Sequence, residues 1–269
     1  MNIRLLKRIS NNNQMLKQTI LLFIVLCTIT TGIKAQVVNS EFQKLFDLYT
    51  MEKYEKCAYK AESYSRKDKY RKESEPYLYM ALCYYQAHVR PELFTNEYPD
   101  ALKDALKYAY KFRKKDKNGE NYQSNKSLLD KIREESLQQA KFYFNDGDFR
   151  KSASEFRRIL KVMPDDMNVA FITGVALIES RNIGEGKKLI AQAIDSLKAY
   201  DQTNRFEKDE VTHEMLVKGA ISYTSYLDAS DQLEEALELI TLIRKLIPDD
   251  LRIKTQYAKL YAKADEEEE

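Results

Sequence analysis

A chain of 269 residues with 43% apolar and 32% charged residues has a globular composition, and its 7 Gly and 5 Pro are too few to turn a β-sandwich or doubly wound sheet of that length. The formal charge is +2, but Arg4, Lys7, Arg8, Lys17 and Lys34 all precede residue 36 with no acid among them. The remainder holds 39 basic against 42 acidic residues, so general nucleic-acid binding is not expected.

Residues 1–35 fall into three zones. Met1 to Gln18 is polar and basic, Thr19 to Ile33 is mostly apolar around Ile20-Leu21-Leu22-Phe23-Ile24-Val25-Leu26, and Ile33-Lys34-Ala35 precedes Gln36. This is the layout of a secretory signal with cleavage at about Ala35/Gln36. The apolar run falls short of the roughly 20 residues of a transmembrane helix; an uncleaved signal anchor is the other reading. Lipidation at Cys27 would set the bulky Leu26 where that signal takes a small residue. The expectation is an exported chain, 36–269, of the periplasm or cell envelope.

The body then reads as helical hairpins. Leu45-x2-Leu48, Tyr54, Cys57 and Ala61 mark the first, over about 38–66. Tyr77-x2-Met80-Ala81-x2-Tyr84 and Ala101 mark the second, over 74–111, with eight extra residues within Ala87 to Pro99. A further 17 residues, around Arg113 to Lys126, separate it from the third. Ala140-x2-Tyr143, Gly147-Asp148-Phe149, Ser152-x3-Phe156 and Pro164 give the third, 133–166; Gly174-x2-Leu177, Asn182-Ile183 and Gly186-x3-Ile190 give the fourth, 167–200. Ala140 to Gly174, Tyr143 to Leu177, Ser152 to Gly186 and Phe156 to Ile190 are each 34 apart. Thr224-x2-Leu227, Ala236-x3-Ile240 and Pro248 give the fifth, 217–250, displaced by 16 residues placed between about Leu197 and His213. Pro164-Asp165-Asp166 and Pro248-Asp249-Asp250 each set carboxylates beside the first turn of the next helix, where the dipole favours them. Ile253, Tyr257, Leu260 and Tyr261 share one face of a capping helix, 251–264, and 265–269 reads as a frayed acidic tail.

The pattern resembles the tetratricopeptide family, whose 34-residue repeat is helix–turn–helix. The small residues fit a close helix crossing and the large ones fill the space beside it. The first repeat departs from the pattern, because Leu45 is large where a small residue belongs. The resemblance implies an all-α solenoid and a groove along the first helices. By the family offsets that groove would hold Phe42, Phe46, Tyr49, Leu78, Leu82, Tyr85, Lys141, Phe144, Phe171, Val175 and Ile178, an apolar stripe that either binds a partner or is already covered by an inserted segment or tight curvature.

Chemistry finds little footing. His88 and His213 stand in separate insertions without ligands at metal spacing. Cys57 and Cys83 lie in helical patterns as small apolar residues, although an exported chain would permit a disulfide. Gly184-x-Gly186 belongs to a repeat, not to a phosphate loop. Neither an enzyme nor a cofactor is expected. Lys103, Lys107, Lys111 and Lys115 recur every four residues opposite Leu102, Ala105, Leu106 and Ala109, which is either a solvated outer face or a contact for an acidic partner. The expected role is a scaffold that binds a protein or peptide partner of the envelope, the alternative being a carrier of an apolar or glycan ligand in the same groove.

Overall fold

Apolar residues at spacings of three and four make each segment helical where it can bury that face. The computed structural model describes residues 40–203 and 210–268. The expected signal, 1–35, and the segment 204–209 lie outside the described residues. Among the described residues there are twelve α-helices and no strand.

Five hairpins follow one another. The pairs are α1 (Gln43–Thr50) with α2 (Tyr54–Ser65), and α3 (Glu75–Val89) with α4 (Ala101–Lys115). After the short α5 (Glu120–Ser124) come α6 (Lys126–Asn145) with α7 (Phe149–Val162), α8 (Met167–Glu179) with α9 (Ile183–Thr203), and α10 (Glu210–Asp228) with α11 (Leu233–Leu246). The helix α12 (Leu251–Glu268) closes the stack. This is an all-α solenoid of the tetratricopeptide type.

The 12-residue offset between small positions is a physical crossing. A Cβ on Gly174 would stand 2.8 Å from the Gly186 carbonyl oxygen, and one on Gly186 would stand 2.7 Å from that of Gly174. In the third hairpin the Ser152 hydroxyl donates to the Ala140 carbonyl at 3.0 Å. In the first, the Cys57 thiol donates to the Leu45 carbonyl at 3.4 Å. The large Leu45 therefore does not take the first hairpin out of the series, because the crossing there uses its backbone while its side chain is buried in the core.

The turns repeat as well. Seven residues after each first small position the backbone enters the left-handed region, at Glu52 (φ 57°), Gly147 (79°), Arg181 (69°) and Asp231 (56°). Only the Gly adopts it without steric cost. In the second hairpin the corresponding residue, His88, is still inside α3, because the eight extra residues postpone the turn. The carboxylates expected at helix starts are in place. Asp166 accepts from the Val169 N–H at 3.2 Å, and Asp250 from the N–H groups of Arg252 at 2.9 Å and Ile253 at 3.4 Å.

The insertions reshape the stack. The first makes a 3-10 turn, Pro91–Leu93, and then a segment tied to α2. Glu55 accepts from the Asn96 side-chain amide at 2.6 Å, from the Tyr98 hydroxyl at 3.0 Å, and from the Thr95 and Asn96 N–H groups at 3.3 Å. The other two lengthen the hairpin helices beside them: α6 begins at Lys126 rather than 133, and α10 at Glu210 rather than 217. The acidic tail is not frayed at its start, since α12 runs to Glu268 with a Lys263–Glu267 ion pair at 3.6 Å.

Packing changes at the same places. Where nothing is inserted, the second helix of a hairpin packs broadly on the first helix of the next, as α2 does on α3, α7 on α8 and α11 on α12. The helix α9 does not pack on α10 in this way; α10 lies along α8 and reaches α6. Nor do α3 and α6 meet closely, and α4 makes that junction with α6 and α7.

Candidate functional site

The first helices α1, α3, α6, α8 and α10 form the inner layer, and α10 decides how much of it is open. Gly219 on α10 lets the helix approach α8: a Cβ there would stand 3.0 Å from Ile172 and 3.1 Å from Phe171. Phe171 is consequently buried; Val175 is buried as well, and Ile178 is buried with its side chain against Gly186 of α9. Arg133 of α6 donates to Asp166 at 2.7 Å and to Thr212 of α10 at 3.0 Å. Lys141 pairs with Glu214, and Lys218 donates to Asn145 at 2.7 Å. The hydrogen bond from Lys141 holds the Glu214 carboxyl below its usual range, with Lys218 adding to it and burial opposing. In this half of the molecule the apolar stripe is core: the expected groove residues Lys141 and Phe171 are spent on closing it against α10, and Val175 and Ile178 are buried.

The other expected groove residues divide. Phe42, Leu78, Leu82 and Phe144 are buried. Phe42 packs edge-on against Tyr64 and Tyr70, and Phe144 against Phe149. Phe46 is half-buried, as is Tyr49, whose hydroxyl accepts from the Gln86 side chain at 3.4 Å. Burial pushes the Tyr49 phenol up to about 12. Tyr85 is half-buried at the edge of α3, and burial, then the charges of Glu135 and Glu134, raise its phenol.

An opening remains between α3 and α6. His88 lies 3.9 Å from Glu135 across it, and Tyr85 stands one turn earlier on α3. On α6 the residues Lys131, Glu135, Gln138 and Phe142 follow at helical spacing. Phe142 is 65% exposed, beside Tyr143 with ring centroids 5.8 Å apart. The family offsets point to Lys141 and Phe144 and miss Phe142. Its signal in the sequence is one bulky apolar residue on an otherwise polar stripe.

The basic stripe on α4 is largely matched locally. Lys103 pairs with Asp100 at 3.7 Å and Lys107 with Asp104 at 2.8 Å. Lys107 and Lys111 lie 4.9 and 5.1 Å from the Tyr108 ring centroid, and Lys115 lies 6.0 Å from that of Tyr77. Arg113 turns inward to the Val162 carbonyl and the Tyr122 ring. Cys57 and Cys83 are free and buried, and burial pushes the Cys83 thiol well up. His213 lies 3.8 Å from Asp250, far in sequence from His88, and among the described residues no group of three or more His, Cys, Asp or Glu could hold a metal ion.

The chain matches no protein-family model and no curated protein. Among solved structures it is similar to the TPR2AB-domain:pHSP90 complex of yeast Sti1, at 15% identity and a TM-score of 0.33, over 81% of this chain and 83% of that one. The fold assignment rests on the hairpins, crossings and turns described above.

Proposed function

We propose that this chain is a non-enzymatic scaffold of the periplasm or cell envelope that holds a protein or peptide partner in the opening between α3 and α6. The observation that carries it is the break in the inner layer at the 17-residue insertion. Where α10 lies on α6 and α8 the inner surface is packed; here the half-buried Tyr85 and Glu135 and the exposed His88 meet at a loose junction, with the exposed Phe142 two turns further along α6. An exposed aromatic ring next to hydrogen-bonding and charged groups is suited to anchoring a partner side chain. The export part of the reading rests on the layout of residues 1–35. A carrier of apolar ligands has less support, because the stripe it would use is filled by α10.

The test is crosslinking in intact cells from a photoreactive residue at position 142, with position 110 on α4 as the control. A protein adduct from 142 that Tyr85→Ser abolishes at unchanged melting temperature supports the scaffold. Absence of any protein adduct from 142 overturns it. The export part is tested separately: a mature chain beginning at Gln36 in the envelope fraction supports it, and recovery of the whole chain from the cytosol sinks it.

A further inference from the structure

The 16-residue insertion leaves a second opening, on other helices. Because α9 is not packed against α10, a cleft of about 220 Å³ lies between α9, α10 and α11. Ile194 of α9, Leu227 of α10 and Leu239 of α11 are among its walls, and Asp195, Glu235, Glu238 and Lys198 stand around it. We infer that this cleft docks a peptide segment of a partner protein carrying one bulky apolar side chain flanked by lysine or arginine.

Size argues first. Sites that enclose a drug-sized molecule run to roughly 300–1,000 Å³, so this cleft suits a side chain rather than a whole small ligand. Charge argues next. Three carboxylates face one ammonium group, and the carboxylates are exposed. Glu235 accepts from the Gln232 amide at 2.8 Å, a neutral partner that leaves its charge uncompensated. Asp195 and Glu238 have no ion-pair or hydrogen-bond partner among the described residues. The same field reaches the floor, where burial and then Glu235 push the Tyr223 phenol up to about 12. An apolar socket with an uncompensated negative rim complements an apolar residue between cations, and rejects the same residue between carboxylates. The cleft shares no residue with the opening between α3 and α6, so the two can be occupied at once.

The experiment uses the full chain and three short fluorescein-labelled peptides: Lys-flanked Phe, Glu-flanked Phe, and Lys-flanked Ser. Fluorescence anisotropy is expected to show saturable binding of the first only. Reversal of the rim with Glu235→Lys and Glu238→Lys is expected to weaken it by about tenfold or more, since two charge contacts change sign. Ala191→Phe, which fills the cleft from its wall, is expected to remove it, while Tyr85→Ser with Phe142→Ser leaves it unchanged. No binding of the Lys-flanked Phe peptide, equal binding of the Ser peptide, or affinity indifferent to rim reversal would each overturn the inference. Circular dichroism confirms that the variants are folded, and if Ala191→Phe is not, rim reversal and the Ser peptide decide alone.

Discussion

Gly174 and Gly186 face each other across the crossing of α8 and α9, with the carbonyl oxygen of each less than 3 Å from where the side chain of the other would begin. Two residues away, Gly184 has open space around it. Substitution by Ala at the two positions is therefore expected to act in opposite directions. Gly186→Ala drives a methyl group against backbone and the Ile178 side chain and is expected to cost about 1–3 kcal/mol. Gly184→Ala removes backbone freedom from the unfolded chain and is expected to add about 0.5–1 kcal/mol. Thermal unfolding of the two variants beside the parent reads the signs directly.

The first crossing predicts how Cys57 behaves. Its thiol occupies the place of Ser152, and its contact with the Leu45 carbonyl matches the one Ser152 makes with Ala140. Cys57→Ser is expected to change stability by less than about 1 kcal/mol, whereas Cys57→Leu is expected to cost about 1–3 kcal/mol by overpacking. In the native protein neither Cys57 nor Cys83 is expected to react with a thiol reagent. In denaturant both are expected to titrate, and a chain that retains residue 27 should show a third thiol.

Acid should loosen the loop of the second hairpin. Burial works against the charge of Glu55, but the hydrogen bonds from Asn96, Tyr98 and Thr95 outweigh it and hold the carboxyl below its usual range. A carboxylate with a lowered folded pKa stabilises fully above its unfolded value of about 4.3 and loses that contribution as pH falls through the folded value. Protection of the Thr95 and Asn96 amides from hydrogen exchange, relative to the intrinsic rate at each pH, is expected to fall below about pH 4. Glu55→Gln should show the faster exchange already at neutral pH; protection identical to the parent would refute the loop's dependence on this one side chain.

The closure of the inner layer depends on Glu214, which receives both Lys141 and Lys218. Glu214→Ala is expected to cost about 1 kcal/mol, the upper range for a partly exposed pair. Its clearer effect is local: exchange of amides in the first turns of α10 should rise, while those of α2 and α3 stay as they were.

Much of this was legible in the sequence, for a physical reason. A repeat states its own geometry, since the same small residue must recur wherever two backbones cross. The 34-residue spacing of Ala140, Gly174, Ser152 and Gly186 places the crossings, and the aspartates after Pro164 and Pro248 place helix starts. Insertions carry no such redundancy. The length of the segment around 197–213 does not say that α10 would extend backward and lie against α6 and α8. Gly219, between Lys218 and Ala220 within a helical run, is the one residue there whose lack of a side chain marks the close approach. The groove is legible only in part for the same reason: the offsets name an inner stripe, but whether Phe171 or Phe142 meets solvent depends on where the inserted helix turns settle.

The uneven junctions have a mechanical consequence. The last three hairpins are braced sideways, because α10 spans α6 and α8 through Arg133, Lys141 and Lys218. The first two are tied to each other by Glu55 but reach the rest through α4 and the long His88–Glu135 pair. Under tension such a chain does not stretch evenly like a spring. It would behave as two stiffer arms with one elbow, and the elbow is the place where His88 and Glu135 meet, so that a partner lodged there would set the angle between the arms.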